Sequence, residues 1–130
     1  MPPAKKTVVA ARPPADQRAT TLEYLILLNS GLSNALDALE IARDSAASPA
    51  DRQEAENSIP AVVQAKALLK SKTLAFIKKS AGSSIAPPNQ ATVEKTIQLA
   101  EALAKVDAQT TQLKQMLSMT TKIVEFVNAL

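Results

Sequence analysis

The chain has 130 residues, a net charge of +3, two glycines, eight prolines and neither cysteine nor histidine. That length can bury one real core without covalent staples. The missing residue types exclude disulfides, thiol catalysis, haem ligation and zinc sites of the usual kind. A ferritin-type di-iron bundle falls with them, because it needs a Glu-x-x-His pair, and no calcium-loop spacing is present. Nearly half of the residues are apolar, but the aromatics are only Tyr24, Phe76 and Phe126. A core of Ala, Leu, Ile and Val with so few turn residues suits closely approaching helices and not a many-stranded sheet. The fold class expected is all-α.

Residues 1–15 hold four of the eight prolines, and their charges, Lys5, Lys6 and Arg12, are all positive. They read as a disordered, basic, proline-rich arm ahead of a single helical-bundle domain spanning 16–130. The apolar run after the lysines, Thr7 to Ala11, is too short for a secretory signal, and no segment approaches the ~20 apolar residues of a membrane span. A cytoplasmic location is therefore expected, with export by a machine that reads other signals left open.

The first helix is expected to start near Asp16 or Thr20, where Thr20-x-x-Glu23 fits a reciprocal capping box. Leu22, Leu25, Asn29, Leu32, Leu36 and Leu39 then fall on one face, widened by Leu28, Ala35 and Ala42 toward a second neighbour. Gly31 interrupts this pattern, flanked by Asn29, Ser30, Ser33 and Asn34. Glycine costs about 1 kcal/mol against alanine inside a helix, so it marks either a break or a close crossing. The sequence favours a continuous helix with a tight contact at Gly31.

Ser48-Pro49-Ala50-Asp51 is the clearest helix start in the chain. Serine caps, proline fills the first helical position, and aspartate complements the positive helix end. Pro60 would remove a hydrogen bond from a helix interior, which predicts a short polar helix over Pro49 to Ser58, a kink, and a second piece over Pro60 to Lys79. Ile59, Val62, Val63, Leu69, Phe76 and Ile77 are its expected buried side. Gly82 to Pro88 forms a loop, and Asn89 caps the last helix.

From Asn89 to Leu130 there is neither proline nor glycine. Alternating steps of four and three from Thr92 pass through Thr96, Leu99, Leu103, Val106, Thr110, Leu113, Leu117, Thr120, Val124 and Val127. That 3.5-residue period predicts one long helix with a seam for another helix. The expected architecture is thus three long helices, the second kinked near Pro60, in an elongated antiparallel bundle. Charge supports pairing of the first two, since residues 19–57 sum to −5 and residues 58–92 to +5.

Polar residues inside the apolar seams are candidates for fixing register: Asn29, Thr110 and Thr120. The last helix also carries a second apolar edge of Met116, Met119, Ile123, Phe126 and Leu130. Two stripes cover more than one partner needs, and methionine adapts to irregular surfaces, so this edge is the expected protein-interaction surface. Catalysis finds no support: there is no Ser-x-x-Lys, Walker loop or nucleophile elbow. No cofactor, metal or small-molecule substrate is expected.

In composition (rich in Ala, Ser, Thr and Gln, poor in aromatics, without Cys, His or Trp) the chain resembles small helical secretion-apparatus subunits, secreted effectors and phage structural proteins. No motif ties it to one family. The function expected is a non-enzymatic interaction or structural protein that binds a protein partner or self-associates through its long C-terminal helix. A small subunit, chaperone or effector of a secretion or phage-like assembly is the implied setting. The alternative is a basic nucleic-acid accessory protein using Lys5, Lys6 and Arg12 of the arm with Lys66 and Lys70 of the second helix. Against it, Lys72 and Lys79 lie on a different face from Lys66 and Lys70, and no arginine or stacking aromatic joins them. Membrane-surface binding would need a bulkier apolar face opposite a denser basic one.

Overall fold

The structure, a computed structural model, describes residues 14–78, 85–106 and 113–130, with the side chains of the first helix described from Thr20 onward. The described residues form four helices and no strand: α1 (Pro14–Asp44), α2 (Pro49–Lys78), α3 (Gln90–Ala104) and α4 (Leu113–Asn128). The all-α expectation holds, but the count of three does not.

The difference lies at the C-terminus. The expected single helix ends at Ala104, where Lys105 leaves the helical region at φ −98° and ψ 8° and its N–H reaches back to the Glu101 and Ala102 carbonyls. The chain resumes helix at Leu113. The physical reason is coverage. At 1.5 Å per residue α1 is about 46 Å long, whereas one helix over residues 89–130 would reach about 63 Å and overhang it. Folded in two, the segment lays both apolar edges on α1.

Two boundaries also move. Because α1 begins at Pro14, Thr20 and Glu23 lie inside the helix and do not cap it; proline at the first helical position serves instead. In α2 the helix runs through Pro60 without interruption. Pro60 is exposed, so the Glu56 carbonyl that it leaves without a helical donor can be met by water. The two predicted caps are in place. Ser48 Oγ accepts from the Asp51 N–H at 3.2 Å, and Asn89 Oδ1 accepts from the Thr92 N–H at 2.7 Å.

Helix α1 is the hub. It packs on all three other helices, α4 also touches α2 and α3, and α2 and α3 do not pack on each other. Its buried residues explain this role, because Tyr24, Leu28, Ala35 and Ala38 form one line and Leu25, Leu32 and Leu39 another. Two lines at helical spacing present a face wide enough for several neighbours. Ser33 faces Lys66 while Leu25 and Leu74 share a groove, so α2 runs antiparallel to α1. Gly31 meets Ile123 and Tyr24 lies by Phe126, so α4 is antiparallel as well. The core joins Leu25, Leu28, Leu32, Leu39, Val62 and Leu69 to Met116, Ile123 and Val127.

Candidate functional site

The sequence placed the interaction surface on the second edge of the last helix, and the structure puts much of that edge inside. Met116 is 2% exposed and Ile123 fully buried, both in the chain's own core, with Met119, Phe126 and Leu130 half-buried against it. The edge is taken up because the break after Ala104 turns α4 back onto α1 and α2. In α4 the buried line is Met116, Thr120, Ile123 and Val127, so Thr120 and Val127 of the expected seam are core while its Leu113, Leu117 and Val124 form a half-buried flank. Phe126 and Leu130 keep some access. With Tyr24, Ile85, Pro88 and Thr92 they line a cleft of about 460 Å³.

Most of the large apolar side chains that stay outside belong to α1 and α2, with Ile97 of α3 also exposed. Ile26 is 60% exposed, Ile77 52%, Val63 51% and Leu74 45%. Of the residues expected on the buried side of α2, Val62, Leu69 and Phe76 are buried, joined by Ala55 and Ala65, whereas Val63 and Ile77 face outward. Between the two helices lies a groove of about 500 Å³, floored by the buried Leu25 and Leu69, with Ile26 and Leu74 at its lips and Asn29, Lys66, Ala67, Lys70 and Thr73 among its lining. The outward signal was legible in the sequence. Val63, Ala67, Lys70, Leu74 and Ile77 step by four, three, four and three, a second seam overlooked beside the stronger one.

The register candidates separate. Asn29 is exposed at the groove and joins no helix to another in the described contacts. Thr110 lies outside the described residues. Thr120 is buried, with its hydroxyl oxygen lacking any hydrogen-bond partner among the described residues. Two polar contacts that do join helices come from the stretch around Gly31. Asn34 Nδ2 donates to the Ala100 carbonyl of α3 at 3.0 Å, and Lys66 Nζ of α2 donates to Ser33 Oγ at 3.0 Å. Nothing in the seam pattern singles out Asn34; its nearness to Gly31, where helices crowd, is the one available sign.

Thr96 is satisfied by its own helix, its hydroxyl donating to the Thr92 carbonyl at 2.8 Å, and it also bonds the buried Tyr24 phenol. Burial pushes the Tyr24 phenol up from its ordinary value, with the Thr96 bond pulling weakly the other way.

The lysines are dispersed. Lys66 is held by Ser33, Lys72 Nζ donates to the Leu130 carbonyl at 2.9 Å, and Lys70 and Lys78 are exposed. Lys5, Lys6 and Arg12 lie outside the described residues. Among the described residues no three acidic side chains gather as a metal site would require, and no helix is long and apolar enough to cross a membrane. Comparison with protein-family models, with curated proteins and with solved structures finds no match. The functional reading therefore rests on this chain's own residues.

Proposed function

We propose that this is a non-enzymatic helical protein that works by binding another protein chain, or its own copies, through the groove between α1 and α2. The observation that carries this reading is an apolar groove with Ile26 and Leu74, 60% and 45% exposed, at its lips, and with Val63 and Ile77 exposed farther along the same outward line of α2. Water-exposed aliphatic side chains gathered in one place mark an interaction surface more often than scattered ones do. A groove between two helices, lined by apolar side chains with a few polar ones at its rim, is the shape that accepts an amphipathic helix. The cytoplasm is the compartment that goes with this reading, and a small subunit or chaperone of a secretion or phage-like assembly is the setting its composition suggests.

The test uses an environment-sensitive apolar dye. The intact chain should enhance its fluorescence, and the double variant Ile26→Asp/Leu74→Asp should lose most of that enhancement with an unchanged far-UV circular dichroism spectrum. Equal enhancement by both proteins would reject the groove. The nucleic-acid alternative would use Lys66 and Lys70, which share the groove, and calls for salt-sensitive retention on heparin. The aliphatic floor between those lysines favours a protein ligand.

A further inference from the structure

We infer that the occupant of this surface is a second copy of the chain, bound through α2 in antiparallel, two-fold symmetric fashion; this rests on the proposed role of the groove. The outward line of α2 is exposed along its whole length, from Glu56 through Pro60, Val63, Ala67 and Lys70 to Leu74 and Ile77. Helix α2 packs only on α1 and α4, so this line has no partner within the chain among the described residues.

Charge names the occupant and its direction. Residues 49–58 carry three acids and one arginine, a net −2; residues 59–78 carry four lysines and no acid, a net +4. Two copies side by side in parallel would set like charges together along the entire helix. Turned antiparallel, each acidic half faces the other copy's basic half. A symmetric contact must be self-complementary, and this helix is self-complementary in one direction only.

The spacing of the charges sets the register. Glu56 and Lys70 stand seven residues to either side of Val63, so a two-fold axis near Val63 brings Glu56 of each copy within about one helical turn of Lys70 of the other. Val63 packs at the centre, and Leu74 and Ile77 reach toward the opposite helix's first turns. Glu56 already pairs with Arg52 at 3.7 Å, but that exposed bond is weak enough to yield. Lys66, held by Ser33 of its own chain, stays at the rim.

The experiment exploits the absence of cysteine. On mild oxidation of the full chain, Val63→Cys should give a disulfide-linked dimer. Ala50→Cys should not, because its two copies would stand about 39 Å apart along the helix axis. In light scattering from low micromolar to near-millimolar concentration, Lys70→Glu and Glu56→Lys should each weaken self-association several-fold. The double variant Glu56→Lys/Lys70→Glu should restore it. All four positions are exposed, so helicity serves as the folding control. A chain that stays monomeric throughout, or a dimer indifferent to both charge reversals, would overturn the inference. The dye result would judge the groove separately. Dye binding by a strictly monomeric chain would leave a foreign helix as its occupant.

Discussion

Gly31 shows how much one residue can settle. A Cβ built there would lie 2.9 Å from Ile123 Cδ1 and 3.7 Å from the Ala100 Cβ, so α4 approaches α1 closely enough that even an alanine at 31 would have to shift the end of the Ile123 side chain. Around it, Ser33 bonds α2 and Asn34 bonds α3. Three residues within four positions thus hold three different helices. Alanine at 31 gains about 1 kcal/mol of helix propensity but must displace the end of a buried isoleucine. Gly31→Ala alone should therefore change stability little. Ile123→Val alone should cost about 1 kcal/mol. Together they should be more stable than the sum of the single changes, because valine lacks the clashing methyl. Urea unfolding of the four proteins measures this coupling, and strict additivity would show that the contact is not tight. Thr120 offers the opposite case. Its buried hydroxyl finds no partner among the described residues, so Thr120→Val should raise stability by about 1–2 kcal/mol, read as a higher urea midpoint at unchanged slope. Thr96→Val should lower it, since that hydroxyl serves both Thr92 and Tyr24.

At the scale of elements, caps were readable and lengths were not. Ser48 and Asn89 start their helices as their side-chain chemistry dictates, because capping is decided within one turn. The C-terminal half was misread as one helix for the same reason. Nothing local forbids helix across Val106 to Thr111, and only the length of the neighbouring α1 makes a fold-back favourable. Distance measurement tests the point directly. Spin labels on Lys95 and Asn128, both exposed, would be about 50 Å apart on one continuous helix. In the folded arrangement Thr92 and Ala129 line the same cleft, so the labels should lie at less than half that distance. A distance near the full value would refute the α3–α4 turn.

For the whole molecule, the consequence of that turn is an exchange of surfaces. The edge of Met116 and Ile123, apolar and seemingly spare in an extended helix, becomes the core on which α1, α2 and α4 converge. What remains available is the outer side of α2, and its charge gradient then gains meaning as a direction for pairing. The acidic first helix against the basic second was a sound reading of the blocks, and the two do lie antiparallel. One polar contact between them is nevertheless a lysine on a serine, and the ion pairs in the described residues, such as Arg52 with Glu56 and Lys122 with Glu125, lie within single helices. Exposed charges steer approach over several ångströms without forming fixed pairs.

Local residue chemistry was enough for the helical class, the capped starts of α2 and α3, the continuity of α1 and the crowding at Gly31. Each of these is settled within one or two turns of chain. Packing in three dimensions was needed to fold the last segment in two, to choose which of its apolar edges is core, and to turn Val63 and Ile77 outward. Those outcomes depend on which surfaces compete for the same neighbour. An amphipathic period states that a face will be buried, but not against what, and here α1 was long enough to bury two edges of a segment it could not cover straight.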